Sequence, residues 1–463
     1  DRLRRAGVEH VWVEKILEPG EALRPWPVEG TTGYEFANDA MRLFVDPAAE
    51  DVFTRLYAEL TGELRQFAEV ADEAKLEQAT GTFAPELREL LQDADVPNIA
   101  TALASFHVYR TYVEPELGLV AEEDRYEISR AALSESLERI LLLEEPGHES
   151  FVTRFQQTTG PVMAKGVEDT AFYRYNRLVA LNEVGGDPGC WSLSVDDFHR
   201  ANVERAERFP RQLLTTFTHD TKRSPDVRAR LVALTSFAGE WEELARRELD
   251  FEDRNEAYLA LQTLVAAWPV EQERIDAYLE KAFREAKVKT NWLAPDEEWE
   301  ARIIAWTRSK RAAAGALAER LRDEAERIAL GMLVLKLTSP GVPDVYQGDE
   351  LEALALVDPD NRRPIDWDER RSVLDAFRAG AEPTRKTMKL WATWKLLDLR
   401  RRRPEAFAGG YMPLDAPENV CAFNRGGSVS VFVPVRGTHE PALEGWRDVL
   451  EGRTPFSVLE RDE

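Results

Sequence analysis

Hydrophobic and polar positions along this chain follow two different spacings, one typical of strands and the other of helices. Together the two spacings predict an α/β protein. Short β-branched or aromatic runs predict strands at residues 8–13, 106–112, 213–217 and 344–350. Longer stretches place apolar side chains three or four residues apart, which is typical of amphipathic helices. Such helices are expected at 50–60, 63–74, 84–91, 128–143, 226–247, 254–268, 272–287, 297–327 and 384–402.

Three further segments complete the predicted organisation. Residues 48–208 are mostly helical and too long for a connecting loop, so we interpret them as a helical insertion. Within them, 155–170 loses the helical period, which predicts a binding loop or a surface connection. Near the end of the chain, alternation at 420–424 and 428–435 predicts a small antiparallel β module.

Ionisable side chains follow two of the predicted strands directly. The strand at 213–217 leads into His219, Asp220, Lys222 and Arg223. The carboxyl ends of strands are where α/β folds place their chemistry, so this cluster is a candidate site. The alternative is that these charges cap the next helix. The strand at 8–13 similarly delivers Glu14 and Lys15, with a solvated strand-end charge as the alternative.

The loop after Glu14 carries aromatic side chains that could contact a sugar. Trp26 and Tyr34 flank two glycines, Gly30 and Gly33, that allow a close backbone approach. Flat aromatic faces bind the C–H surfaces of sugars, although such residues more often belong to a core. Both interpretations stay open at this stage.

Composition and motifs narrow the function classes. The 463 residues carry a formal net charge of -25, which argues against a nucleic-acid partner. No apolar run is long enough to cross a membrane. The only cysteines, Cys190 and Cys421, predict a reducing cytoplasm, with a single disulfide as the alternative. The known nucleotide, zinc and serine-nucleophile motifs are lacking, so neither a cofactor nor a metal is expected.

The two strand-end acids suit glycoside chemistry. A retaining mechanism needs a proton donor on one side of the sugar and a carboxylate nucleophile on the other. Glu14 at a strand tip could donate a proton at neutral pH if burial raised its pKa. Asp220 could bond sugar hydroxyls and favour a positively charged transition state, with His219 beside it as a neutral hydroxyl partner.

Several motifs in a fixed order give a more specific resemblance. They are V-W-V-E-K-I-L at 11–17, W-P-V-E-G-T-T-G-Y-E-F at 26–36, M-A-K-G-V-E-D-T-A-F-Y-R-Y at 163–175, T-H-D-T-K-R-S at 218–224, P-G-V-P-D-V-Y-Q-G-D-E at 340–350 and D-P-D-N-R-R-P-I-D-W at 358–367. With these motifs the chain resembles the maltooligosyltrehalose synthase family, whose members are α-amylase-type enzymes. The match runs from residue 11 to residue 367 and continues weakly to the end.

The resemblance implies a fold and an activity. The fold would be the second half of a (β/α)8 TIM-type barrel with large helical insertions and a small C-terminal antiparallel β domain. Residues 1–47 would hold barrel strands five and six, 48–208 the insertion, 209–402 the rest of the barrel, and 403–463 the β domain. The activity would convert the reducing-end α-1,4 bond of a maltooligosaccharide to an α,α-1,1 bond, as a step of trehalose biosynthesis.

The resemblance also implies residue roles. Glu14 matches the family's general acid/base and Asp220 its transition-state stabiliser. The family's nucleophile is an Asp in an R-x-D-H type motif, which is absent from these 463 residues. The chain is therefore expected to be the C-terminal part of a longer protein, or to work with another chain that supplies the first half of the barrel. Substrate contacts are expected from His219, Lys15, Trp26, Tyr34, Lys165, Glu168, Asp169, Lys222, Arg223, Tyr346, Gln347, Asp360 and Arg363.

Two other functions stay open on sequence alone. One is an α-glucan hydrolase or transglycosidase of the amylase type, because Glu14, His219 and Asp220 are common to all of these enzymes. The other is an inactive glucan-binding fragment, because the nucleophile is absent and half a barrel would expose its strand edges.

Overall fold

The computed structural model describes residues 2–441 and 444–462, which are mainly helical. The helices are α1 (Arg2–Arg5), α2 (Tyr34–Arg42), α3 (Glu50–Thr61), α4 (Phe67–Thr80), α5 (Ala84–Asp93), α6 (Ile99–Ser105), α7 (Glu122–Arg130), α8 (Glu135–Leu141), α9 (Glu149–Met163), α10 (Phe172–Arg174), α11 (Val195–Arg208), α12 (Pro225–Ser236), α13 (Ala238–Glu248), α14 (Arg254–Ala266), α15 (Gln272–Ala286), α16 (Glu297–Thr338), α17 (Trp367–Arg378), α18 (Met388–Arg402) and α19 (Pro404–Ala408). The strands are β1 (Trp12–Val13), β2 (Gly30–Thr31), β3 (Leu213–Leu214), β4 (Val342–Pro343), β5 (Tyr411–Pro413), β6 (Val420–Arg425), β7 (Val429–Pro434), β8 (Trp446–Asp448) and β9 (Ser457–Arg461).

Four short strands form two parallel pairs. Strand β1 pairs with β2, with Trp12 opposite Gly30, and β3 pairs with β4, with Leu213 opposite Val342. The two pairs come close at Gly33, whose φ is +93° and where any Cβ would collide with the carbonyl oxygen of Leu213. The predicted strands at 8–13 and 213–217 are therefore confirmed, although each is only two residues long.

The predicted strand at 106–112 is wrong. Phe106 and Val108 are buried, and the Phe106 ring lies 5.8 Å from the ring of Phe155 on α9. In the described residues no strand lies there, and the nearest ladder contact is a single bridge between Glu114 and Leu119. The aromatic residues that suggested a strand instead pack against helices.

The predicted loop at 155–170 is wrong as well. This segment lies in α9 and in a π-helical stretch, Ala164–Ala171. Gln156 obscured the helical pattern because it is polar and buried. Its side-chain amide satisfies the backbone N–H and C=O of Val113 at 3.0 and 2.8 Å. A polar residue with internal partners breaks the hydrophobic period without breaking the helix.

The hydrophobic core has two main parts. The larger joins the strand region, the central helices and one face of the C-terminal sheet, from Phe36 to Val458. A second cluster, from Ala79 to Val162, lies within the insertion and centres on α5, α6 and α9. The insertion therefore has apolar packing of its own.

The central helices differ from the sequence prediction at two boundaries. The predicted helix at 226–247 is divided at Phe237 into α12 and α13. Helix α16 does not end at 327 but continues through the apolar stretch to Thr338, giving 42 residues. Residues 328–338 are buried on every side, which hides the amphipathic period while keeping the helical conformation.

The predicted strand at 344–350 is wrong because a buried charge cluster holds this segment. Lys336 Nζ lies 2.7 Å from one carboxylate oxygen of Asp349, and Lys389 Nζ lies 2.9 Å from the other. Lys389 also contacts Asp226 at 2.7 Å. We call Lys336, Asp349, Lys389 and Asp226 the charge cluster. It joins α16, α18 and α12 to the segment that follows β4.

The C-terminal β module is confirmed. Strands β5, β6, β7, β9 and β8 form an antiparallel sheet in that order. Strands β6 and β7 are buried throughout, which anchors the sheet to the rest of the chain. Its residue Cys421 is buried as a free thiol, and Cys190 is also free, so the alternative of a disulfide is ruled out. Within residues 2–441 and 444–462, no helix has the length and apolar character to cross a membrane.

Replacing Asp349 by Asn should destabilise the fold. The change leaves the fully buried Lys336 ammonium without a counter-charge, and such a loss costs roughly 3–5 kcal/mol. Burial would raise the pKa of Asp349, but Lys336 and Lys389 outweigh it and hold the pKa at about 2. The lowered pKa stabilises the fold above pH ~4, and this contribution is lost as the pH falls towards 2. Urea unfolding between pH 2 and pH 7 measures both effects.

The matched control is Asp368→Asn, which removes the same charge from a side chain that is 94% exposed. It should change the free energy of unfolding by less than about 0.5 kcal/mol. Equal effects of the two substitutions, or an unchanged acid dependence in Asp349→Asn, would refute this role of the charge cluster.

Candidate active site

The segments that follow the four parallel strands meet at one edge. Tyr34, after β2, shares a hydrogen bond of 3.1 Å with Thr218, after β3. Phe217 packs its ring 4.9 Å from Tyr346, after β4. Glu14 follows β1 directly and is exposed. This carboxyl edge is the place where the sequence predicted chemistry.

Two carboxylates are available at this edge. Asp220 and His219 are each about half exposed, and His219 Nε2 lies 3.3 Å from an Asp220 oxygen. Between the strands, Tyr34 is buried. Burial raises the pKa of its hydroxyl, and the charges of Asp220 and Glu14 raise it further. Tyr34 therefore stays a neutral phenol with both carboxylates in its surroundings.

The turn that carries Asp220 is held from both sides. Within it, the Thr218 hydroxyl oxygen accepts the backbone N–H of Asp220 at 3.1 Å and that of Thr221 at 3.2 Å. From outside, the buried Asn361 donates its side-chain amide to the carbonyl of His219 at 2.9 Å. Asp220 is therefore presented by a turn whose backbone polar groups are largely satisfied.

Lys222 continues this turn into the protein. Its backbone N–H donates to the Glu183 carboxylate at 2.7 Å, and its Nζ lies 3.2 Å from Asp169 and 3.6 Å from Glu168. Burial would lower the pKa of Lys222, but Tyr173 and these carboxylates outweigh it and raise the pKa. Lys222 is therefore a fixed positive charge, two residues after Asp220 in the chain and paired with Asp169 and Glu168.

The π-helical stretch brings further predicted residues to the same place. Lys165 is half exposed and pairs with Asp169 at 2.5 Å. Glu168 is mostly buried and accepts a hydrogen bond from the hydroxyl of Tyr109, and burial raises its pKa. π-Helical turns often occur at functional sites, because they re-aim side chains that a regular α-helix would separate.

The segment after β4 forms a neighbouring cleft of about 420 Å³ that includes Phe217, Gln347 and Arg363 among its lining residues. Arg363 is half exposed, whereas Asp360 is held by Arg274 at 2.7 Å. Of the predicted contacts here, Gln347 and Arg363 line the cleft, and Arg363 makes one long contact of 3.9 Å to Asp360. Tyr346 packs against Phe217.

Other predicted contacts have partners within the protein. Lys15 is buried and pairs with Glu21 at 2.7 Å. Arg223 is buried, with its guanidinium 2.8 Å from the hydroxyl of Tyr278. Trp26 lies in a separate cleft with Arg24 and Tyr112 among its lining residues.

The structure adds residues that sequence reasoning missed, namely Tyr109, Glu183, Asn361 and Glu18. The first three act through contacts 59, 39 and 142 residues away, which no local pattern reveals. Glu18 follows the strand-end acid Glu14 by four positions. Burial and the neighbouring carboxylates raise its pKa to about 8, so it is largely protonated at neutral pH.

No protein-family model matches the chain. Curated proteins do match, and two of them are named "Putative maltooligosyl trehalose synthase" and come from Mycobacterium tuberculosis, strains CDC 1551 / Oshkosh and ATCC 25618 / H37Rv. Each is 36% identical over 466 residues, covering 94% of this chain. The chain spans 60% of the length of these relatives.

Solved structures show the same relationship. Maltooligosyltrehalose synthase from Arthrobacter ramosus is 33% identical with a TM-score of 0.88, and the match covers 100% of this chain and 68% of that one. A structure titled "DSM5389 glycosyltrehalose synthase" is 30% identical with a TM-score of 0.88, covering 100% of this chain and 65% of that one. On this identity and coverage, the chain belongs to the maltooligosyltrehalose synthase family.

Proposed function

We propose that the protein containing this chain converts the reducing-end α-1,4 bond of a maltooligosaccharide into an α,α-1,1 bond. The observation that carries the proposal is the carboxyl edge, where Glu14, Tyr34, His219 and Asp220 follow parallel strands in a chain 33–36% identical to named synthases. The product, a maltooligosyltrehalose, places the reaction in trehalose formation. No cofactor is needed, because the chemistry is proton transfer and glycosyl transfer.

The four short strands would form the second half of a (β/α)8 barrel. The relatives are longer than this chain, and their extra length is where we expect the nucleophilic Asp and the remaining strands. Glu14 and Asp220 would then face that Asp across the barrel mouth. The expected spacing of nucleophile and acid in a retaining site is about 5–5.5 Å.

The proposed reaction has two steps. Glu14 protonates the glycosidic oxygen while the nucleophile attacks C1, which gives a covalent glycosyl intermediate and a free glucose. The glucose turns within the site, and Glu14 removes the proton from its anomeric hydroxyl, which attacks the intermediate with retention. Asp220 and His219 bond sugar hydroxyls and stabilise the positively charged transition state. This attack releases the nucleophilic Asp, so one glycosidic bond is broken and one is formed, and no other reactant is required.

For isomerisation to prevail over hydrolysis, the released glucose must remain in the site and water must be excluded from it. We propose that residues 165–169 and the segment 344–367 enclose the glucose. Lys165 is half exposed beside Asp169, and Glu168 is fixed by Tyr109. On the other side, Gln347 and Arg363 line a cleft next to Phe217. Together these groups offer the glucose hydroxyls both donors and acceptors.

Replacing Glu14 by Gln should lower kcat for conversion of maltopentaose by about 10²–10⁴-fold, because the general acid is lost. Asp220→Asn should lower kcat more than it changes KM, because its contribution is greatest in the transition state. The assay measures loss of reducing ends and release of glucose separately. It uses this chain alone and together with the preceding part of the Arthrobacter ramosus enzyme.

The matched control is Glu9→Gln, which removes the same charge from an exposed residue ahead of β1. It should leave conversion unchanged. Release of glucose as the main product would favour an amylase-type hydrolase. Full conversion by this chain alone would contradict the need for a nucleophile from outside it.

Lys165→Ala and Glu168→Gln should raise the share of glucose released by several-fold. Lys165→Ala opens the proposed pocket, and Glu168→Gln removes the carboxylate that pairs with Lys222 and accepts from Tyr109. The readout is the ratio of glucose to non-reducing product at equal substrate consumption. Lys386→Ala, at an exposed lysine distant in sequence, serves as the control. An unchanged ratio in both pocket variants would remove residues 165–169 from the proposed enclosure.

A further inference from the structure

The cleft around Trp26 shares no lining residue with the carboxyl edge as described above. It has a volume of about 460 Å³ and is lined by Arg24, Trp26, Arg110, Tyr112 and Glu123, together with shorter apolar side chains. Trp26 meets Tyr112 edge to face, with ring centroids 4.8 Å apart. Both rings are partly exposed, so they offer a ligand flat apolar surface.

The cleft is held in shape without a ligand. The guanidinium of Arg24 binds both carboxylate oxygens of Asp124, which is fully buried, and lies 4.8 Å from the Tyr112 ring centroid. The same carboxylate accepts the backbone N–H of Tyr112 at 2.7 Å. A ligand would therefore meet rings already in position, and little ordering would be lost on binding.

Charges in the cleft favour a neutral ligand with many hydroxyl groups. Arg24 is neutralised by Asp124, and Arg110 lies 5.0 Å from the Tyr112 ring centroid without a carboxylate partner among the described residues. Glu114 and Glu123 stand at the rim, exposed. An anion would meet the rim carboxylates and a cation would meet Arg110. A sugar can stack on Trp26 and use both kinds of group for hydrogen bonds.

The cleft is connected to the candidate active site through one short segment. Tyr109, three positions before Tyr112, bonds to Glu168, and Lys15 lies 5.9 Å from its ring centroid. Three residues span at most about 10 Å. One end of this segment therefore contacts residues beside Glu14 and Lys222, and the other end forms a wall of the cleft.

We propose that this cleft is a second binding site for an α-1,4-glucan chain, distinct from the reacting end. That the ligand is a glucan rests on the proposed function, whereas the neutral hydroxyl-rich chemistry rests on the cleft itself. A glucan that is long enough to reach from the carboxyl edge to the cleft gains a second contact, and the high effective concentration of its tethered end raises its affinity. The cleft would then favour longer substrates.

The experiment measures binding of maltoheptaose and of maltotriose to the 463-residue chain by calorimetry. Trp26→Ala should weaken maltoheptaose binding about 10-fold and maltotriose binding far less, since a stacked ring contributes about 1 kcal/mol or more. Arg110→Gln, whose charge has no carboxylate partner, is a second variant less able to disturb folding. Trp292→Ala, at a tryptophan that is 52% exposed, is the matched control. Thermal unfolding verifies each variant.

Binding of maltoheptaose that both Trp26→Ala and Arg110→Gln weaken, but Trp292→Ala does not, supports the second site. Absence of binding to the parent chain, or equal binding by all variants, overturns it. A third outcome would also overturn it: inorganic phosphate binds, both variants abolish that binding, and maltoheptaose does not compete with the phosphate. This experiment measures binding and not conversion, so the two proposals can fail separately. If maltoheptaose binds in a Trp26-dependent way but is not converted, only the proposed reaction is rejected.

Discussion

The fold around the candidate active site depends on four buried charges of alternating sign, Lys336, Asp349, Lys389 and Asp226. Each belongs to a different element, so no two of the elements can move without separating an ion pair in the interior. Asp226 also accepts the backbone N–H of Ala353 at 2.9 Å. The cluster thereby fixes the segment after β4 against the helix that follows β3.

The carboxyl edge needs this support because its strands are so short. Two-residue strands offer few ladder hydrogen bonds, and the turn at Asp220 gets its rigidity from elsewhere. Glu183 accepts the backbone N–H groups of Lys222 and Arg223, and Asn361 donates to His219. Side chains from distant loops thus perform the role that a longer sheet would perform through its backbone.

The sequence alone placed Glu14 and Asp220 after strands, because each carboxylate comes within three residues of the end of a β-branched run and that pattern is local. It failed where polar residues are buried with internal partners, as at Gln156, or where aromatic residues pack on helices, as at Phe106. It could not find Tyr109 or Asn361, because their importance comes from contacts 59 and 142 residues away. Hydrophobic periodicity describes one element at a time, whereas the candidate site combines the segments after four strands with residues 165–169, Tyr109 and Glu183.

The separate core of the insertion has a thermal consequence. A region with its own apolar cluster, from Ala79 to Val162, can open as a cooperative unit below the temperature at which the whole chain unfolds. Tyr109 lies within this stretch of sequence, but its side chain packs against the larger cluster and bonds to Glu168, so it marks the junction between the two clusters. On heating, opening of this unit would then strain the junction first, and with it the pocket that we propose for the glucose, while most of the structure is still intact.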